Sequence, residues 1–236
     1  MVAKANTMQT KDNKKGSLYM VATPIGNLQD ITLRAIATLK KVDTILCEDT
    51  RVTSKLLQHY DIDIPTMSYH HHSSDDKKLQ ILKMLQEGSS LALVTDAGTP
   101  GISDPGNELV DFLLQADASI QVIPIPGPSS LTTALSASGF RADKFVFIGF
   151  MPKKKKTKLL AFLKETKYTF VFFESPYRVV KTFEGMVRDF GDRNIFVARE
   201  LTKLHEETYR GNLADVTALL KGKKIKGEVV VVVNGI

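Results

Sequence analysis

The 236 residues carry 43% apolar and 25% charged side chains, enough for one large domain or two modest ones with a sizeable core. A net charge of +6 favours an anionic partner such as RNA. A single cysteine, Cys47, excludes an intrachain disulfide and a cysteine-based zinc site. With no long apolar segment, signal peptide or lipidation motif, the chain reads as soluble and cytoplasmic, with no membrane partner.

Residues 1–16 are polar, lysine-rich and aperiodic and read as a disordered leader. Leu18 to Thr23 reads as a strand running into Pro24-Ile25-Gly26-Asn27, with Asp30 as N-cap of a helix bearing Ile31, Ala35, Ile36 and Leu39. Thr44 to Cys47 is a short strand ending in Glu48-Asp49-Thr50-Arg51, which suits either a catalytic cluster or a helix N-terminal turn with a salt bridge. A helix with Leu56 and Leu57 follows, ending near Tyr60. His70-His71-His72 is a poor metal site, since neighbouring strand side chains point to opposite faces and no further pair lies at metal spacing. It reads as a polar rim that meets substrate or as an inert surface loop. Asp75 to Gln86 is an amphipathic helix with Leu79, Leu82 and Leu85, stopped by Gly88.

The stretch Leu91 to Gly106 organises the chain. An apolar strand breaks at Thr95 into Asp96-Ala97-Gly98-Thr99-Pro100-Gly101-Ile102-Ser103-Asp104-Pro105-Gly106, and Ser103 or Asp104 can cap the helix carrying Leu109 and Leu113. Glycines let a ligand approach bare backbone, at the strand end where open α/β sheets bind ligands. Neither a P-loop lysine nor a G-x-G-x-x-G is present. Backbone amides, an Asp and small side chains suit a nucleoside-containing cofactor lacking a triphosphate. Ile120 to Ile125 is a further strand, ending in Pro126-Gly127-Pro128-Ser129-Ser130 and a small-residue helix through Ser138. Strand and helix alternate throughout, which predicts a parallel sheet with crossovers.

The pattern resets near Gly139 to Lys144, giving an N-terminal α/β domain over 17–141 and a C-terminal one over 142–236. The second half opens with a strand over Phe145 to Phe150 and the basic loop Lys153-Lys154-Lys155-Lys156, then a helix with Leu159, Leu160 and Leu163. Tyr168 to Phe173 is a strand ending in Glu174-Ser175-Pro176-Tyr177-Arg178, where Ser175 caps and Pro176 starts a helix. Asn194 to Ala198 is a strand ending in Arg199-Glu200-Leu201-Thr202-Lys203. After a short helix from Asn212, Val229 to Val233 is the last strand, and the second sheet reads as mixed.

Taken in order, Val21–Leu28, Glu48–Arg51, Thr95–Gly106, Pro126–Ser129, Phe173–Pro176, Ala198–Lys203 and Lys226–Glu228 resemble the tetrapyrrole-methylase superfamily of S-adenosylmethionine (SAM) methyltransferases. Within it they resemble the ribosomal-RNA branch. The resemblance implies two α/β domains of the class III methyltransferase type, SAM in the cleft between them, and a homodimer. It implies 2′-O-methylation of a cytidine ribose in the decoding centre of 16S rRNA, within the small ribosomal subunit. It places the cofactor contacts on Pro24, Ala97, Gly98, Thr99, Ile102, Ser129, Ser130, Glu174 and Leu201.

For the general base such a reaction needs, the candidates are Asp96, Glu48, Asp49, Glu174 and Glu200, with Lys203 and Arg51 holding phosphate or orienting a carboxylate. Lys153 to Lys156 are the first candidates for RNA phosphates, then Arg51, Lys55 and Arg178. The chain departs from the family pattern at Val52 and Tyr177, where a His is usual, and at His71, where a Glu is usual; it also lacks the C-terminal extension of many relatives beyond Ile236. These departures bear on RNA docking more than on chemistry. Two other functions fit the same fold: methylation of a corrin or porphyrin precursor, and SAM-free RNA binding as an assembly factor. The loop glycines speak against the second, and the Pro24–Leu28 and Glu48–Arg51 motifs against the first.

Overall fold

A computed structural model describes residues 15–155 and 157–236. Most of the expected leader and Lys156 lie outside the described residues. Lys15 and Gly16, assigned to that leader from sequence, are instead docked. The Gly16 amide donates to Leu85 O at 2.8 Å, and Lys15 Nζ lies 2.6 Å from Asp117 Oδ2.

The first half contains β1 (Ser17–Val21), α1 (Leu33–Leu39), β2 (Thr44–Cys47), α2 (Thr50–His59), β3 (Thr66–Ser68), α3 (Asp75–Gln86), β4 (Leu91–Leu93), α4 (Gly106–Ala116) and β5 (Gln121–Ile125). Its strands form one parallel sheet in the order β3-β2-β4-β1-β5. Every residue of β4 is buried, because apolar side chains leave both faces of a strand sandwiched between helix layers. Ala35, Leu39, Leu56 and Leu57 of α1 and α2 cover one face; Ile81, Leu85, Leu109 and Leu113 of α3 and α4 cover the other. Leu79 belongs to neither layer and is 52% exposed.

Two caps differ from the sequence reading. Asp30 closes a short 3-10 turn, and α1 is capped by Thr32, whose hydroxyl accepts from the Ala35 amide at 3.1 Å. A polar residue two positions nearer the helix takes the role because it has the extended backbone a cap needs. At α4 the cap position falls on Pro105, which has no polar side chain to bond the helix amides, rather than on Ser103 or Asp104. Asp104 lies one residue earlier, its Oδ1 accepting from the amides of Gly106 and Gly101, both at 2.7 Å.

The second half contains β6 (Phe145–Phe150), α6 (Thr157–Glu165), β7 (Thr169–Glu174), α7 (Val179–Phe190), β8 (Asn194–Arg199), β9 (Glu207–Asn212), α8 (Leu213–Leu220) and β10 (Val229–Val233). The sheet order is β6-β7-β10-β8-β9, parallel only between β6 and β7, hence mixed. The five valines of β10 are all buried at its centre. Polar β9 carries no apolar alternation and gave no strand signal; it is an edge strand, where charged side chains are the usual protection. Helices α6, α7 and α8 cover one face.

The other face is covered from the first half of the chain. α5 (Ser130–Ser138) lays Ala134 and Leu135 against Val171, Phe196, Val230 and Val232. Its small side chains allow that close approach. Ile25, from the loop after β1, joins the same cluster.

The sequence also placed the start of α7 too early. Ser175-Pro176-Tyr177 form a turn, with Ser175 O accepting from the amides of Arg178 and Val179, and the helix begins at Val179. The Ser175 amide is drawn instead to the Glu174 carboxylate at 2.7 Å.

Candidate functional site

The loops after β1 and β4 are tied together backbone to backbone. Thr23 and Gly98 exchange both amide–carbonyl hydrogen bonds, at 2.9 and 3.1 Å, and Thr23 Oγ1 donates to Thr95 O at 2.9 Å. Gly98 has φ +88°, a left-handed conformation that disfavours any side chain. Thr99 Oγ1 donates to Pro128 O at 3.3 Å and joins this pair to the loop after β5. Three strand ends thus hold one wall of a cleft.

The opposite wall is the second sheet, and the cleft between them is about 310 Å³. That lies at the lower end of the range for small-molecule sites. Of the sequence-predicted residues, Glu48, Asp96, Ala97, Gly98, Thr99, Ile102, Ser129, Ser130, Glu174 and Leu201 all line it. Pro24 does not; its neighbour Ile25 does. Glu200 and Lys203 stand outside the lining.

The five carboxylates proposed as a base divide sharply. Asp49 caps α2 and is gripped by Arg51 through Nε at 3.0 Å and Nη2 at 2.7 Å; that hydrogen-bonded guanidinium holds its carboxyl down at about 2. Glu174 is buried and saturated: it accepts from the Ser175 amide and from Thr182 Oγ1 at 2.6 Å, and pairs with Arg178. Burial works against ionisation of Glu200, but the Glu228 amide and Lys203 outweigh it and hold its carboxyl below the ordinary range. Asp49 and Glu200 are thus held in the charged form, and the Glu174 oxygens are committed to their partners.

Glu48 and Asp96 behave differently. Burial pushes the Asp96 carboxyl up, against the donation of the Asp49 amide at 3.2 Å. Burial raises Glu48 as well, and the charges of Asp96 and Asp104 push it further. Two neighbouring acids with raised titration are the usual setting for a proton acceptor.

Asp104, read from sequence only as a helix cap, also lines the cleft. Its Oδ2 is buried without a partner, while Oδ1 is spent on the loop. Glu228 also lines the cleft, its Oε2 accepting from Lys203 Nζ at 2.8 Å. Phe150 and Phe173 add an aromatic corner, with ring centroids 5.4 Å apart. An exposed phenylalanine at a strand end carries no sequence signal distinguishing it from core.

The basic candidates also separate. Lys153, Lys154 and Lys155 are exposed, as is Lys55. Arg51 is exposed but paired to Asp49. Arg178 is turned inward, donating to Met151 O at 3.3 Å and bridging to Glu174, so it braces the cleft wall rather than meeting phosphate. Among the described residues no group of His, Cys, Asp or Glu is arranged to hold a metal ion, and no helix is long and apolar enough to cross a membrane.

The site residues fit a small cationic cofactor. Bare backbone at Ala97 and Gly98 and hydroxyls at Ser129 and Ser130 line one side, and the unpartnered Asp104 Oδ2 offers an acceptor. Glu48, Asp96 and Glu228 give the lining an acidic character suited to a positively charged ligand.

Comparison with known proteins agrees with this geometry. Residues 17–217 match the model of the tetrapyrrole (corrin/porphyrin) methylases. The ribosomal RNA small subunit methyltransferase I of Halalkalibacterium halodurans is 47% identical over 96% of this chain and 78% of its own length. That of Thermotoga maritima is 45% identical over 93% of this chain and 99% of its own. Among solved structures, uroporphyrin-III C-methyltransferase from Thermus thermophilus, complexed with S-adenyl homocysteine, superposes with a TM-score of 0.66 at 19% identity, covering 92% of this chain and 97% of its own. Diphthine synthase superposes at 0.69 and 12% identity, over 93% of this chain and 90% of its own. These two likenesses are ones of fold. The fold, the glycine-lined cleft and the sequence identity along nearly the whole chain together place it in the ribosomal RNA small subunit methyltransferase I family of the tetrapyrrole methylases.

Proposed function

We propose that the protein methylates a ribose 2′-hydroxyl of 16S ribosomal RNA, at a cytidine of the decoding centre, using SAM. The observation that carries this reading is the cleft itself. Glycine and serine backbone at three parallel strand ends faces two acids with raised titration, in a chain nearly half identical to named ribosomal RNA methyltransferases.

SAM supplies an activated methyl group when bound, so the chain's task is to position the acceptor and take its proton. Ala97, Gly98, Thr99, Ser129 and Ser130 would hold the cofactor, with Asp104 Oδ2 as an acceptor for its amine or hydroxyl hydrogens. Glu48 and Asp96 are the groups placed to receive the hydroxyl proton. Glu174 fixes the far wall by holding Ser175, Thr182 and Arg178 together.

The natural substrate is the small ribosomal subunit, in the cytoplasm, and the enzyme works as a homodimer. The division into α/β domains at residues 141 and 142 is supported by two separate sheets, one on each side. The test is methyl transfer from labelled SAM to small subunits lacking the modification, with the product mapped by 2′-O-methyl-sensitive primer extension. Incorporation into a precorrin but not into RNA would overturn the reading.

A further inference from the structure

Strand β6 contains an irregularity that re-aims one side chain. In its parallel pairing with β7, Phe147 stands opposite Val171 but Phe150 stands opposite Phe173. Three residues on β6 therefore span two on β7. Alternation along a regular strand would put Phe150 with Val146 and Ile148, which pack against the core under α6 and α7. The extra residue reverses that. Phe147 and Phe150 both contact the ring of Phe173, at centroid distances of 5.2 and 5.4 Å.

Gly149 makes the reversal possible. Its φ is +70°, and a Cβ there would sit 3.1 Å from Ser103 Oγ across the cleft. A bulge of one residue beside a functional site is a known means of redirecting a side chain. The result is a phenylalanine on the cleft wall that remains 60% exposed. Together with Phe173 it forms an open aromatic corner in the cleft lining, a face on which a flat ring can stack.

Its neighbours identify the occupant. Lys153, Lys154 and Lys155 lie exposed three to five residues further along the same chain segment. An aromatic face followed by a run of ammonium groups is the arrangement that binds unpaired nucleic acid, with rings stacking on bases and cations meeting the backbone. The glycine and serine loops that suit the cofactor belong to the opposite wall.

We propose that Phe150 is the stacking platform for an unpaired RNA base, the target nucleotide's own base, which it holds while the ribose is presented to the methyl donor. This rests on the RNA-methyltransferase reading of the cleft. Phe150 touches substrate and sets its position; it moves no proton.

The experiment uses the fact that the chain has no tryptophan. Phe150→Trp introduces a single indole, whose emission should be quenched on adding small ribosomal subunits that lack the methyl group, and unaffected by SAM alone. Phe150→Ala and Phe150→Leu should each raise KM for those subunits by roughly 5- to 100-fold, with SAM affinity by calorimetry unchanged. Phe150→Tyr and Phe150→Trp should restore KM, because they keep the ring.

Quenching by SAM alone, or loss of SAM affinity in the alanine variant, would assign the ring to the cofactor and overturn the proposal. So would a leucine variant with wild-type KM, since an apolar filler would then suffice. Absence of methyl transfer to the subunits by the wild-type protein is a different failure, and it would count against the RNA reading itself.

Discussion

The backbone amide of Asp49 donates to Asp96 Oδ1 at 3.2 Å, linking the ends of β2 and β4. The two aspartates nonetheless titrate in opposite directions. Arg51 keeps Asp49 ionised, down to about 2, whereas burial raises Asp96. Two like groups in contact have been given different tasks by their surroundings.

Asp96→Asn should therefore reduce methyl transfer roughly a hundredfold or more, the lower end of what a general base contributes. Its folded-state pKa is raised, so the stability it contributes is present at low pH and lost as pH rises through that pKa. At neutral pH the charge is a burden, and the asparagine variant should melt no lower than the parent. Thermal melts at neutral and acidic pH check the second half; an unchanged turnover would reduce Asp96 to a brace for its loop.

The pH–rate profile should show one acid limb. Activity requires the Glu48–Asp96 pair deprotonated, and both carboxyls are raised, so the rate falls as pH drops through a titration above the ordinary carboxylate range. In Asp96→Asn one of the charges raising Glu48 is gone, and the limb of the residual activity should move to lower pH. A profile whose acid limb stays in place would remove the pair from the reaction.

Gly98→Val should abolish SAM binding, but not without harm to the fold. At φ +88° a β-branched residue is strained, costing about 1–2 kcal/mol. A Cβ would also lie 3.4 Å from Ile25 Cγ2. Gly98→Ala carries the strain with less bulk, so comparing the two separates strain from occlusion. Calorimetry showing wild-type affinity in a folded valine variant would mean that the cofactor lies elsewhere.

Glu174→Ala should be a stability variant. It strands the buried Thr182 and the half-buried Arg178, so the cost should fall somewhat below the roughly 3 kcal/mol of breaking a fully buried pair. Denaturant unfolding measures this directly. A loss of activity with full stability would return Glu174 to the candidate bases.

Changing Lys153 to Lys156 together to Gln should weaken binding of small subunits and flatten its salt dependence, each lost phosphate contact removing about one unit of log–log slope. SAM affinity should not move. A wild-type slope in the quadruple variant would direct attention to Lys55.

Much of the cleft was legible because glycine, proline and serine at strand ends have few other uses. Thr95 to Gly106 could be read as a cleft loop only beside two further glycine- and proline-rich loops at strand ends, and it does line the cleft. Glu174 and Arg178 were not legible as a pair of braces. Their partners include a threonine eight residues on and a carbonyl 27 residues back, which no local pattern encodes. Asp104 was read as a cap, but the cap position is Pro105, and the fate of Asp104's second oxygen is one that only packing reveals. Strand β9 was missed because an edge strand needs no apolar stripe. The reversal at Gly149 was invisible for the opposite reason: Phe145 to Phe150 reads as an unbroken run.

Helix α5 belongs to the first half of the chain but roofs the sheet of the second. A polypeptide cut near residue 141 would thus carry away the cover of β8 and β10, leaving Phe196, Val230 and Val232 bare on one fragment and Ala134 and Leu135 bare on the other. Fragments divided between Pro126 and Ser129 would keep α5 on its sheet and take only Ile25 from that cluster. The cheapest place to split this protein is therefore through one of its cofactor loops, and complementing fragments made there should recover SAM binding only when both are present.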